Sequence, residues 1–262
     1  EGDGRSRWTD HGVRRESLPP AGAPSILVVG DSFTEALMID DADVYSHRLE
    51  AALQGPAVLN VGRSGATAAD YLALAPRYQE LFAPRWTVIQ LRDDDVGDAA
   101  WAAGGQARLL RDAEGALVAD FTVKHPGSLG ALLQPTSAWL AIPNYAIVRA
   151  GEFGAAFAKE PPIFFGAAAQ GQQEPAQGEG PVDRPVEETL ARLADAYGGR
   201  VTFLWLPNFD PDDLGGPASA TEARFEAACR HQGFSCVSLR EGFPAFAARR
   251  ESPYGFGNTA WN

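Results

Sequence analysis

Gly30, Asp31, Ser32 and Thr34 follow an apolar run ending in Val28 and Val29, and the chemistry they could do is acyl transfer. A glycine there permits a sharp turn. A serine at or near the start of the next helix sits beside exposed backbone N–H groups, which favour negative charge developing on a reacting oxygen. The plain alternative is that Asp31, Ser32 and Thr34 only cap a helix. A second cluster, Asn60, Gly62, Arg63, Ser64, Gly65 and Thr67, follows another apolar run. Two glycines in a short loop suit close backbone approach to a ligand or a turn with positive φ, and the N–H of Gly65 could aim at the same point as Ser32. The third cluster, over residues 90–98, holds Arg92 and the carboxylates Asp93, Asp94, Asp95 and Asp98. Such oxygen ligands suit Mg²⁺ or Ca²⁺. Consecutive aspartates point in different directions, however, and EF-hand spacing is missing, so no metal or other cofactor is expected.

The elements that must position these clusters are legible from periodicity. Residues 25–30, 57–61 and 86–91 are short apolar runs of the kind buried on both faces of a parallel sheet. Between them, residues 42–53 and 67–82 carry helical patterns. The rhythm breaks after Leu91. Residues 107–118 resemble a hairpin, 129–150 are mostly apolar but interrupted by Pro135 and Pro143, and 166–185 are rich in Gly, Gln, Ala and Pro. The pattern resumes with a helix over 186–197, a strand over 201–206, a helix over 221–231 and a strand over 235–239. Strands alternating with helices imply βαβ units and a doubly wound sheet, with ligands collecting outside the carboxyl ends of the strands. The expected architecture is α/β, a three-layer αβα, flavodoxin-like sheet of five parallel strands with an insertion at about 98–185. Residues 1–24, polar and without a period, read as a lead-in to a domain over 25–262.

Taken together and in this order, the three clusters resemble the SGNH/GDSL hydrolase family. Its first block is matched by Gly30, Asp31 and Ser32, its second by residues 60–65, and its third by the loop ending in Asp95; the approach to its last block is similar to residues 254–259. The resemblance implies the same three-layer fold and a serine esterase or acyl hydrolase acting on a small acyl ester, an acetylated carbohydrate being one candidate. It casts Ser32 as nucleophile and the N–H groups of Ser32 and Gly65 as oxyanion donors, supported by Asp31, Asn60, Arg92 and Asp95. Two departures stand out. Asp94 occupies the position where the family carries an oxyanion-donating Asn, and an ionised carboxylate only accepts hydrogen bonds. Nothing after Asn258 is a His, so the catalytic base is expected just beyond Asn262. His11, His47, His125 and His231 read as surface histidines, with His125 alone having a route to the site through the insertion. An O-acyltransferase and a non-catalytic glycan- or protein-binding member are the rival readings.

Composition narrows the partners. With 22 Lys+Arg against 34 Asp+Glu, the formal charge is -12. That disfavours nucleic acid and anionic membrane surfaces. No apolar stretch is long enough to span a bilayer. Arg63 and Arg92, cations on site loops of an acidic chain, could select an anionic substrate group. Phe33, Trp101, Trp139, Tyr145, Phe164 and Phe165 could line an acyl or sugar pocket, or form the insertion's own core. Cys229 and Cys236 are either a helix-to-strand disulfide or two buried thiols. A disulfide, together with the polar lead-in, points to an extracytoplasmic protein.

Overall fold

The computed structural model describes residues 6–37, 39–96, 107–120, 186–207, 218–242 and 245. The expectations for residues 98–106, 121–185 and 254–259, including those for His125, Trp101, Trp139, Tyr145, Phe164 and Phe165, lie outside them.

Five strands build one parallel sheet: β1 (Ser25–Val29), β2 (Ala57–Asn60), β3 (Trp86–Leu91), β6 (Val201–Trp205) and β7 (Ser235–Ser238), in the order β2-β1-β3-β6-β7. Helices cover it: α1 (Ser32–Glu35), α2 (Tyr45–Leu53), α3 (Ala68–Phe82), α4 (Asp93–Val96), α5 (Val186–Ala196) and α6 (Ala220–Gln232). The three-layer α/β architecture read from the sequence is the one observed. Predicted boundaries hold within one residue for β1 to β3 and for most of the later elements. The exception is α2, which starts at Tyr45 because a 3₁₀ turn occupies Asp41–Asp43.

Alternation along the strands divides the core between the two faces. Leu27, Val29, Leu59, Ile89, Leu91, Phe203 and Trp205 join one cluster with Tyr71 and Ala75 of α3, Leu190 and Leu193 of α5, and Phe225 of α6. Trp205 stacks on Phe225 with ring centroids 4.7 Å apart. Val28 and Val58, at the intervening positions, are fully buried as well. Two buried faces explain why these strands read as continuous apolar runs.

The residues after the third strand that resemble a hairpin are one: β4 (Arg108–Arg111) pairs antiparallel with β5 (Leu117–Asp120). Leu109 and Leu117 pack on Ala69 of α3, and Asp70 accepts a hydrogen bond from the Ala107 N–H at 3.0 Å. At the far edge, Cys229 of α6 and Cys236 of β7 form a disulfide, which resolves the two readings of this pair.

Candidate functional site

The strand order reverses direction at β1. The chain moves from β1 outward to β2, then crosses back to β3 on the other side of β1. In an open α/β sheet this switch point leaves a crevice at the strand carboxyl ends. Here the loops after β1, β2 and β3 meet around a cavity of about 200 Å³ lined by Asp31, Ser32, Gly65, Ala66, Thr67, Arg92, Asp94 and Asp95. Residues from all three clusters therefore share one wall.

The first loop turns tightly because Gly30 has no side chain. A Cβ there would lie 2.7 Å from Gln90 Oε1 and against the Thr34 hydroxyl. Asp31 caps α1, its carboxylate accepting from the Phe33 N–H at 2.9 Å. Ser32 is the first helical residue, so its N–H has no intrahelical acceptor. Of this cluster, Asp31 is the helix cap and Ser32 lines the cavity.

Asn60 does not line the cavity. Its buried amide donates to Thr34 O at 2.7 Å and Ser46 Oγ at 3.0 Å, and its Oδ1 accepts from the Gly62 N–H at 2.9 Å. It holds the first two loops together. Gly62 makes the approach possible, since a Cβ there would meet the Glu35 N–H and lie 2.6 Å from the Thr34 carbonyl carbon. The Arg63 N–H donates to Gly30 O at 2.9 Å. Gly65, with φ of 74°, takes the left-handed turn expected of it and borders the cavity. Thr67 and Asp70 then form the capping box that starts α3.

The third loop departs furthest from a simple acidic patch. Asp93 accepts from Ser219 Oγ at 2.7 Å, while Asp95 is buried and accepts from the Arg92 N–H at 2.9 Å and from the Tyr71 hydroxyl at 3.4 Å. Neighbouring carboxylates thus point to different partners. Asp94 is the exposed one, its side chain 62% accessible and 3.7 Å from the Arg92 guanidinium, which itself lies 4.2 Å above the Phe33 ring. Arg92 lines the cavity and Arg63 does not, so the pair of site cations read from the sequence reduces to Arg92.

Burial dominates the electrostatics beneath Ser32. It pushes the Asp31 carboxyl from 3.8 up to about 6, with Asp94 adding to the rise and the Phe33 N–H and Arg92 opposing it. Asp95 is pushed well above the ordinary carboxylate range, first by burial and then by the charges of Asp31 and Asp94. Among the described residues no histidine lines the cavity: His47 Nδ1 faces the Asp41 carbonyl, and His231 pairs with Glu187 at 2.6 Å.

Several residues that shape the site carried no mark in the sequence. The Glu35 carboxylate accepts from the Ser64 N–H at 2.7 Å and from its hydroxyl, tying α1 to the loop that bears Gly65. Thr34 Oγ1 donates to Gln90 Oε1 and contacts the Tyr45 hydroxyl, both at 2.9 Å. Gln90 could have been found, because a polar side chain inside an apolar strand must be satisfied by a specific partner. A second hollow, about 460 Å³, lies at the opposite, amino ends of the strands and is lined by Ile26, Pro56, Arg85 and Trp86 among others. It contains no nucleophile or carboxylate.

No family model and no curated protein matches the chain. Solved structures do. The chain is similar to AlinE4, described as an SGNH-hydrolase family esterase, with 13% identity, 89% of this chain and 82% of that one covered, and a TM-score of 0.41. It is also similar to TesA, with 19% identity, coverage of 83% and 80%, and a TM-score of 0.40. A member of the lipolytic protein G-D-S-L family from Veillonella parvula gives 10% identity, coverage of 92% and 90%, and a TM-score of 0.44. These likenesses assign no activity to the chain.

Proposed function

We propose that this cavity is the active site of an SGNH-type serine esterase or acyl hydrolase acting on a small acyl ester. The observation that carries the reading is the convergence of Ser32 and Gly65, from different loops, on one cavity at the switch point of the sheet. The motif resemblance gives the roles. Ser32 Oγ attacks the ester carbonyl, and the tetrahedral oxyanion rests on the N–H groups of Ser32 and Gly65. Expulsion of the alcohol leaves an acyl-serine that water then hydrolyses. A cavity of about 200 Å³ is below the usual range for drug-sized ligands and favours a short acyl chain, an acetylated carbohydrate being one candidate substrate. The Ser32 Oγ proton passes to a general base and from it to the departing alcohol, and among the described residues no histidine lines the cavity to serve as that base.

Asp94 favours a second reading. A solvated carboxylate where an oxyanion donor is needed suits a cavity that accepts hydrogen bonds from sugar hydroxyls, as a non-catalytic glycan binder or an O-acyltransferase acceptor site would. Treatment with a fluorophosphonate separates catalysis from binding. The esterase reading expects stoichiometric labelling at Ser32, abolished in Ser32→Ala, and turnover of p-nitrophenyl acetate. No labelling and no turnover would leave the binding reading.

For localisation we infer an extracytoplasmic protein. The Cys229–Cys236 disulfide supports this, because such bonds persist in oxidising compartments. Among the described residues no helix is long and apolar enough to cross a membrane.

A further inference from the structure

Ser32 opens a helix of only four residues. One turn cannot sustain itself in water, since helix nucleation is unfavourable and short helices are marginal. Whatever fixes the carbonyl end of α1 therefore fixes where Ser32 points. That end lies about 4.5 Å along the axis from Ser32, at roughly 1.5 Å per residue.

The carbonyl end is held by Arg14, from the segment that reads in the sequence as a polar lead-in. Arg14 is fully buried. Its Nη1 donates to Glu35 O at 2.5 Å and also to Ala36 O, its Nη2 donates to Ile39 O, and its Nε donates to Asp41 Oδ1 at 2.9 Å. The arginine backbone is anchored in turn, because its N–H donates to Asn60 O at 2.9 Å, and the Asn60 amide donates to another carbonyl of the turn, Thr34 O. Ala36 has a left-handed φ of 51°, so the chain leaves the helix abruptly into the guanidinium's reach. Burying a guanidinium is costly unless it is paired and hydrogen-bonded. Here the Asp41 carboxylate, its side chain 26% accessible, is the one ionic partner among the described residues, and backbone carbonyls accept the other donated bonds. Only a planar fork of fixed donors matches that arrangement.

We propose that Arg14 is a positioning residue for Ser32, setting the orientation of the nucleophile-bearing turn through the carbonyls of residues 35, 36 and 39. The proposal rests on the esterase reading only for the word nucleophile. It requires that residues 6–18 be an integral part of the site and not a tether.

The test uses Arg14→Lys, which keeps the charge opposite Asp41 but cannot reach three carbonyls. Arg15→Gln serves as the control, because Arg15 ties the same segment to Ser17, Glu50 and Val58 without touching α1. Hydrogen exchange over residues 33–39 is expected to rise in Arg14→Lys while the strands stay protected. The maximal rate of fluorophosphonate labelling at Ser32 is expected to fall roughly tenfold to a hundredfold, as misplacing a reacting group by about 1 Å does, with the half-saturating concentration unchanged. Arg15→Gln should leave both values at the parent level. Unaltered exchange and labelling in Arg14→Lys, or an equal labelling loss in Arg15→Gln, overturns the proposal. If Arg14→Lys does not fold, Asp41→Asn retains the arginine and removes only its carboxylate partner; exchange at 33–39 must then rise, and no change there refutes the role. A parent protein that never labels refutes the esterase reading instead, and the exchange arm alone decides whether Arg14 sets the turn.

Discussion

Asp31→Asn is expected to make the protein more stable at pH 8 and much less so at pH 4.5. Asp31 is 6% exposed, and burial, ahead of the neighbouring charges, raises its carboxyl from 3.8 to about 6. The unfolded chain releases this proton near 3.8, whereas the folded protein holds it until about 6. Between those values the unfolded state binds fewer protons, so stability falls as pH rises through the window, and above about 6 the full cost is present. For an isolated group with these two values the cost is about 1 kcal/mol at pH 4.5 and about 3 kcal/mol at pH 8. Asparagine caps a helix as well as aspartate does, so the Phe33 N–H keeps its acceptor. Any loss from placing an amide there is the same at both pH values and cancels in the difference. Urea denaturation of parent and variant at pH 4.5 and pH 8 measures it: the gain at pH 8 should exceed that at pH 4.5 by about 2 kcal/mol. A gain independent of pH, or one larger at pH 4.5, would refute the assignment of a burial-raised carboxyl.

On the esterase reading, Asp94→Asn should raise activity. Removing one oxyanion donor costs about 2.7–4 kcal/mol in a closed site, but Asp94 is well exposed and faces Arg92. The gain is therefore expected nearer tenfold in kcat/KM for p-nitrophenyl acetate, and an unchanged or lower value would remove Asp94 from the oxyanion position. Replacing Cys229 and Cys236 by serine should lower stability by about 2–3 kcal/mol, the loop-closure value for so short a span. Chemical denaturation with and without reductant checks this: reductant should match the double variant's loss in the parent and have no effect on the variant.

Strands β1 and β2 were readable because burial on both faces gives a short continuous apolar run. Leu27 and Val28 point to opposite sides, and both are fully buried. The grouping of Ser32, Gly65 and Asp94 was also readable, since each lies a few residues past a strand's carboxyl end, and a doubly wound sheet brings such ends together. What escaped was everything held by side-chain to backbone bonds across long sequence separations. Asn60, read as a supporting residue, stands in a site loop, but the partners of its amide, Thr34, Ser46 and Gly62, are not legible from the sequence. Arg14 lies in the segment read as a polar lead-in, because a buried guanidinium whose acceptors are mostly carbonyls leaves no periodicity, and its carboxylate partner Asp41 is distant in sequence.

The difference between those two kinds of residue is physical. Hydrophobic burial is non-directional and acts through residue type, so its pattern is carried in the order of apolar and polar positions. Fixing a four-residue helix in one orientation needs directional bonds instead, and carbonyl groups, present at every residue, supply the acceptors without altering the sequence around them. Glu35 shows the consequence. In the sequence it is one acid among many, yet in the fold it carries the hydrogen bonds from Ser64 that set the loop of Gly65 against the turn of Ser32. The cavity's composition is therefore written in three local clusters, whereas its precision is written in the partners of Arg14, Glu35, Asn60 and Gln90, which become visible only when the fold brings them together.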